Sequence, residues 1–537
     1  MMPTTNHSEW VLPRFLAEQG RLRQTAPWIT VVGGGSLTFG EAAADARRVA
    51  GYLASLGIKP GDMVGLMMPN GVDLVRAWLG IGTLGAVAVM LNTELRGAFL
   101  QHQLRNCGAD LVIAEASFTD AIMDAAPHVD TLRRLLVPGN AVGPASARPR
   151  RLSWEGWQTA APYDGPLPRG QDIACVMYTS GTSGPSKGVL MPHAHCALYG
   201  MGQIRSMQLT HDDRFYITLP LFHANGLLMQ LGATLQLGIP AVVRQRFSAS
   251  EWLNDIRQHR CTATNALGAL AAFVLAQPRR NDDRQHELRA ICNAPNLPEH
   301  EAVFRERFGI RDVFSGFGMT EVNIPVWGRV GQSRPGAAGW VDREHFEVVV
   351  ADPETDQPVP PGQLGEILVR PKVPFCFMVG YHNMPDRTVE AWRNLWFHTG
   401  DAATMEADGL VTFVDRIKDT IRRRGENIAA TEVESAISQL PGAEEVAAFA
   451  VPSSIPGGED ELMLAIVPAA GVTLTAEAVI EHADKVLPRY AAPRYVAFVS
   501  ELPKTATGKV QRAVLRKRGP EQAWDRDAPS RKGTTAR

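Results

Sequence analysis

Lysine is scarce in this chain of 537 residues: nine stand against 45 arginines. A composition that uses arginine wherever any cation serves makes each remaining ammonium a candidate for chemistry that needs a compact, pKa-tunable charge. Cysteine is equally sparse. The six (Cys107, Cys175, Cys196, Cys261, Cys292, Cys376) form no C-x-x-C pair and match no zinc spacing with the histidines, which excludes a disulfide framework and a structural zinc site. Net charge is nearly absent, at -2, so no global field favours nucleic acid or an anionic membrane. Long apolar runs are missing too. The richest, Ala77 to Leu91, falls short of the roughly 20 residues of a membrane span and is broken by three glycines. The opening segment lacks a basic stretch followed by an apolar core, so no secretory leader is read there and a cytoplasmic location is expected.

What is present is a soluble-type composition, 45% hydrophobic and 20% charged, in a chain too long for one core. Strand-like runs alternate with amphipathic segments: a helix from Gly40 to Leu56, a strand Met63–Met67, a helix Gly71 to Gly80 and a strand from Ala86 to Met90. That alternation predicts βαβ units and a mostly parallel, covered sheet. Further strands are expected at 110–113, 214–219, 241–243 and 290–292. From about Gly339 to Arg370, short strands joined by Pro/Gly-rich turns predict a small antiparallel or barrel-like subdomain. After Asp415 a smaller α+β unit is expected: a helix Glu432 to Leu440, strands Glu445 to Val451 and Leu462 to Val467, and a helix from Ala476 to Val486. The fold class is therefore α/β. A large domain spans 1–414, a boundary 415–418, a small domain 419–517 and a flexible tail 518–537.

The sharpest local signal is Tyr178-Thr-Ser-Gly-Thr-Ser-Gly-Pro-Ser-Lys-Gly188. Its glycines allow close backbone approach to a ligand, its hydroxyls suit phosphate oxygens and Lys187 supplies charge. It is not a Walker A loop, because Ser186 stands where that motif needs glycine. An ordinary Ser/Gly linker is the competing reading, disfavoured because the segment runs straight into the apolar strand Val189-Leu-Met191.

This loop resembles the phosphate-binding signature of the acyl-adenylate-forming superfamily, whose usual string has Thr where Ser183 stands. Other segments follow in that family's order. They are Leu219-Pro-Leu-Phe-His-Ala-Asn-Gly226, Ala294-Pro-Asn-Leu297, Phe317-Gly-Met-Thr-Glu321, Trp396-Phe-His-Thr-Gly-Asp401, Asp415-Arg-Ile-Lys418, Arg424-Gly-Glu-Asn-Ile428 and Pro503-Lys-Thr-Ala-Thr-Gly-Lys509. The resemblance covers about residues 25–517. The Phe-Val-Asp-Arg and Arg-Arg-Gly-Glu-Asn strings are most similar to the carnitine/crotonobetaine-CoA ligase and aryl- or acyl-CoA ligase branches.

The resemblance implies an AMP-forming acyl-CoA ligase that uses ATP, Mg²⁺ and coenzyme A in two half-reactions. Thr179, Ser180, Gly181, Thr182, Ser183 and Lys187 would hold phosphates. Ala294, Pro295 and Asn296 would run beside the adenine, Phe317 with Gly318 and Met319 would form its platform, and Asp401 and Arg416 would hold the ribose. Catalysis is implied for Lys509, Thr320, Glu321 and His223, with Glu321 the metal carboxylate. A buried structural ion pair competes for Asp401 and Arg416, and a packed core histidine for His223. Lys418 would be the hinge residue, and Gly425 with Arg423 would face coenzyme A after rotation, against the competing reading of a solvated basic face. His223, Ala224, Asn265, Gly268, Ala269 and Gly316 would line the acyl pocket, whose small residues suggest a bulky or cyclic, mainly apolar acid. Two alternatives stay open: loading of an acyl carrier protein, and retention of only one half-reaction. A homodimer is the remaining partner expectation; nucleic acid is not expected.

Overall fold

The computed structural model describes residues 6–139, 147–179, 185–416, 420–423, 426–453, 459–503, 510 and 512–528. The chain divides into two compact units. One comprises Met1–Thr93, Leu100–Thr179 and Lys187–Ile417; the other comprises Glu94–Phe99, Ser180–Ser186 and Lys418–Arg537.

The first unit starts its βαβ pattern where local chemistry dictates. Thr38 and Glu41 form a reciprocal capping box, with Glu41 N–H donating to Thr38 Oγ1 at 3.1 Å and Thr38 N–H to Glu41 Oε2 at 2.8 Å. Two orphan donors of the helix Phe39–Ser55 are thereby satisfied. Its buried face, Ala42, Ala46, Val49 and Leu53, meets the almost wholly buried helix Val72–Leu84. Gly80 makes that approach feasible, since a Cβ there would sit 2.3 Å from Val49 Cγ1.

Strands Met63–Met67, Val87–Met90, Leu111–Ala114, Arg134–Val137 and Arg150–Ser153 pair in parallel. On the other side of Val87–Met90, Ile173–Thr179 joins the same sheet, followed by the antiparallel Lys187–Pro192 and Gly380–Tyr381. A second sheet orders Asp312–Phe314, Ala290–Ala294, Ala263–Leu267, Phe215–Ile217, Ala241–Val243 and Pro27–Val31 in parallel, with Ser36–Thr38 antiparallel at its edge. Such strands are buried on both faces, which is why they read as plain apolar runs. The third sheet is antiparallel and includes Gly316–Met319, Asn323–Trp327, Trp396–Met405 and Leu410–Arg416. It begins earlier than the turn-rich stretch after Gly339 that predicted it.

The second unit carries a four-stranded sheet in the order Ala443–Val451, Glu461–Pro468, Tyr495–Phe498, Trp524–Asp525. The helices Ala430–Ile437 and Ala476–Val486 bury Val433, Ile437, Val479 and Ala483 against it. The expectation of a flexible tail from residue 518 is corrected as far as Ala528. Trp524–Asp525 pairs antiparallel with Tyr495–Val496, Arg494 ion-pairs with Asp525 at 3.1 Å, and Arg526 with Asp484 at 2.8 Å. The polar composition hid this because the strand is only two residues long, with Trp524 its one large apolar side chain, packed against the unit's core. Trp524→Ala should raise the hydrogen-exchange rate of the Tyr495–Phe498 amides about tenfold or more, read by mass spectrometry on the intact protein. Unchanged exchange would show that residues 519–528 contribute nothing to that edge.

Candidate active site

The strand Ile173–Thr179 pairs antiparallel with Lys187–Pro192 in a register that sets Thr179 opposite Lys187. Both ends of the Ser/Gly loop are thus pinned by a ladder; Ser180, Gly181, Thr182 and Ser183 lie outside the described residues. Gly188 lets the ladder run flush beside Tyr178, whose ring would lie 3.2 Å from a Cβ. Tyr381, on the adjoining strand opposite Val189, receives a hydrogen bond from Lys187 Nζ at 3.1 Å, and the ammonium also stands 4.2 Å from the ring centroid.

Glu321 sits on the turn between the strands Gly316–Met319 and Asn323–Trp327. That turn is tight. Gly318 is required because a Cβ would fall 2.2 Å from the Asn323 carbonyl, and Asn323 itself adopts φ of 68°. The helix His193–Met207 holds the turn from beneath. Tyr199 OH donates to the Met319 carbonyl at 2.8 Å, His195 Nε2 meets the Thr320 carbonyl at 2.9 Å, and Asn323 Nδ2 donates to the His195 carbonyl at 2.8 Å. Full burial lowers the pKa of His195 below its usual value, so the ring is neutral near pH 7.

Glu321 is 3% exposed, and its Oε1 accepts from Thr179 Oγ1 at 3.0 Å and from Tyr381 OH at 2.9 Å. A donor chain therefore runs from Lys187 through Tyr381 to Glu321, and joins three elements distant in sequence. Both described donors engage Oε1; among the described residues Oε2 has none. A carboxylate with hydroxyls around it is a hard oxygen set of the kind Mg²⁺ takes. The residues fit that ion: Glu321 is the carboxylate that would hold it, and the metal would supply charge to neutralise phosphate oxygens.

The nucleotide-side residues are placed with one change of role. Asp401 is buried, and its backbone lies directly opposite Arg416 across the ladder of the strands Trp396–Met405 and Leu410–Arg416. Phe317 is 8% exposed and already stacks on Phe413, at 6.1 Å and 23°. One of its faces is thus committed to the core. Asn296 turns away from the segment it was read with: its Nδ2 donates to Glu301 Oε2 at 2.5 Å, in the first turn of the helix Pro298–Phe308. Ala294 closes its strand at the parallel-sheet carboxyl edge, with Pro295 next.

His223, Ala224 and Asn225 are all partly accessible and begin a wide turn that continues as the π-helix Asn225–Leu231. Gly226 permits it, since a Cβ there would lie 2.5 Å from the Pro220 carbonyl. Asn70 braces the same segment by donating to the Leu219 carbonyl at 3.0 Å and accepting from Leu221 N–H at 2.8 Å. Asn265 is 1% exposed and does not face a mainly apolar space: it bonds Asn225 at 2.8 Å and Gln203 at 3.1 Å. The expectation of an apolar lining is corrected at this position. Gly316 is also accounted for by packing, with the Val326 carbonyl 3.3 Å from a Cβ. Gly268 starts the helix Gly268–Leu275; the Ala269 side chain lies outside the described set.

Arg423 is corrected too. It is buried and ion-paired to Glu461 at 2.6 Å, with the Ala492 carbonyl accepting a further bond, so it is structural within the second unit and not an exposed phosphate binder. Lys418, Gly425 and Lys509 lie outside the described residues, as does the Arg416 side chain. Sequence reading missed Tyr381, His195, Tyr199 and Asn70. The i, i+4 spacing of His195 and Tyr199 on a helix following the loop was the one available signal.

With this geometry established, comparison with known proteins places the chain. Residues 17–382 match the AMP-binding enzyme family and residues 432–509 the AMP-binding enzyme C-terminal domain. The chain belongs to the AMP-binding enzyme family. It is 33% identical over 490 residues to the sulfoacetate–CoA ligase of Cupriavidus necator, covering 90% of this chain and 92% of that one. It is 31% identical over 505 residues to an Amycolatopsis feruloyl-CoA synthase, covering 93% and 97%. Among solved structures, o-succinylbenzoate CoA synthetase of Bacillus subtilis superposes with a TM-score of 0.81 at 25% identity, covering 94% of this chain and 98% of that one.

Tyr381→Phe removes one of the two described donors to Glu321 and the acceptor for Lys187 while keeping the ring. Acid-dependent ATP–pyrophosphate exchange should fall about tenfold, as expected for losing hydrogen bonds to charged groups, with little change in melting temperature. An unchanged exchange rate would show that the chain from Lys187 to Glu321 is only structural.

Proposed function

We propose that this protein is an AMP-forming acyl-CoA ligase that activates a carboxylic acid with ATP and then transfers the acyl group to coenzyme A. The observation that carries the reading is the convergence of Thr179 and Tyr381 on the Glu321 carboxylate, with Lys187 bonded to the same Tyr381 hydroxyl. It sets a fixed ammonium, a metal-type carboxylate and the two ends of a phosphate-type loop in one place.

In the first half-reaction a carboxylate oxygen attacks the α-phosphorus of ATP. The new O–P bond replaces the bond to pyrophosphate, which leaves. Two anions must be brought together, so cations placed before the reaction lower the barrier most. Lys187 is held for the phosphates and Glu321 for Mg²⁺. Lys509 is assigned the ammonium that bridges carboxylate and α-phosphate as charge develops, and His223 a wall of the carboxylate site. Asp401 and Arg416 hold the ribose. In the second half-reaction the thiol sulfur of coenzyme A attacks the acyl carbon, the bond to AMP breaks and the thiol proton is released. Lys418 is assigned the hinge that exchanges Lys509 for the segment at Gly425 between the two steps.

Coenzyme A is favoured over a carrier-protein thiol by the relatives, the described examples of which are named for CoA thioesters. No helix among the described residues is long and apolar enough to cross a membrane. A soluble enzyme acting in the cytoplasm, as monomer or homodimer, fits this reading.

Lys509→Ala should abolish ATP–pyrophosphate exchange while leaving thioester formation from a preformed acyl-adenylate within about threefold of wild type, because the lysine serves only the first step. Equal loss in both assays would sink the two-conformation assignment. Absence of any acid-dependent exchange in the wild type would sink the ligase reading.

A further inference from the structure

The last turn of the helix Gly97–Cys107 grips two chain segments that border the Lys187–Tyr381–Glu321 contact. Asn106 Nδ2 donates to the His382 carbonyl at 3.1 Å, and its Oδ1 accepts from Tyr178 OH at 2.7 Å. The same phenol lies 3.0 Å from the Gln103 carbonyl, and Asn383 Nδ2 donates to the Asn106 carbonyl at 2.9 Å. Tyr178 immediately precedes Thr179, and His382 immediately follows Tyr381.

These bonds have a fixed sense. A peptide carbonyl has no hydrogen to give, so Asn106 turns its NH₂ to His382 and its oxygen to Tyr178. Burial pushes the Tyr178 phenol far above its usual pKa, so the hydroxyl keeps its proton and serves as a donor. The last carbonyls of a helix have no partner within it, and here those of Gln103 and Asn106 are met by Tyr178 and Asn383. The helix end and the two strand ends therefore cap one another.

What this holds in place is a marginal element. Gly380–Tyr381 is an edge strand of two residues, set opposite Leu190 and Val189. His382 N–H extends the pairing to the Gly188 carbonyl at 2.7 Å, and Tyr381 N–H is taken by Thr388 Oγ1 at 2.9 Å. So short a ladder specifies its register weakly, and a slip of one residue would turn the Tyr381 ring to the opposite face of the sheet. The bond from Asn106 to the His382 carbonyl pins the strand at the residue next to Tyr381.

We propose that Asn106 is a positioning residue for the triphosphate and metal end of the nucleotide: by fixing His382, it keeps the Tyr381 hydroxyl where it meets both the Lys187 ammonium and the Glu321 carboxylate. This rests on the ligase reading above, which assigns Lys187 to the phosphates and Glu321 to Mg²⁺. Without the Asn106 bond the strand end is released, and the two charged groups lose the shared hydroxyl that sets their spacing. The adenosine end of the nucleotide is assigned to other residues, so its binding does not depend on Asn106.

The test is calorimetric binding of MgATP, and of AMP without metal, to the full-length protein. Asn106→Leu should weaken MgATP about fivefold, the size of one net hydrogen bond, and leave AMP within about twofold of wild type. Asn106→Asp keeps the acceptor for Tyr178 and loses the donor to His382, so it should weaken MgATP at least as much. It also replaces Asn106→Leu if that variant has a lowered melting temperature. Adding Asn106→Leu to Tyr381→Phe should cost no more than about a further twofold, because both changes remove the same contact. Equal losses for MgATP and AMP, wild-type MgATP affinity in either Asn106 variant, or multiplied losses in the double variant would each overturn the inference while leaving the ligase reading standing. A wild-type protein that binds no MgATP would overturn the ligase reading and the inference with it.

Discussion

The Glu321 carboxylate is the group on which separate strands of the first unit converge. It is buried, yet its Oε1 is supplied with two hydroxyl donors, Thr179 on the strand that enters the Ser/Gly loop and Tyr381 on a strand far later in the chain. A buried carboxylate without donors would carry a desolvation cost of several kcal/mol. Thr179 and Tyr381 offset that cost, and the geometry they impose also fixes Lys187. One electrostatic requirement therefore sets the relative position of three strands.

Beneath that group the fold supplies rigidity by close backbone approach. Gly318 and Gly226 occur where a Cβ would strike a carbonyl oxygen, so the turns carrying Glu321 and His223 fold back on themselves more tightly than other residues allow. The helix His193–Met207 then uses one buried neutral histidine and one tyrosine to hold carbonyls of the Glu321 turn in place. Tyr199 and His195 are too deeply buried to ionise readily, which suits them to positioning and not to proton transfer.

The first unit also holds a cluster of neutral amides. Gln203, Asn225, Gln230 and Asn265 bond one another, while the buried Gln230 Oε1 meets no partner among the described residues.

By itself the sequence determined the class of fold, the order of the motifs and the position of the Ser/Gly loop between two strands, because parallel strands buried on both faces and glycine-rich loops leave signatures within ten or so consecutive residues. Strands such as Met63–Met67 and Ala241–Val243 and the helix Ala476–Val486 are legible for that reason. It named Lys187 and Glu321, but it had no means of showing that Tyr381 joins them, since that contact depends on a strand pairing across the full sheet. It read Arg423 as an exposed cation from its neighbours in the chain, whereas burial against Glu461 is decided by a strand forty residues on. It read Asn265 among small residues as part of an apolar wall. Only the tertiary structure, by winding residues 225–231 as a π-helix, brought four amides from three segments together, because hydrogen-bond direction is a property of side chains in space and leaves no period in the sequence.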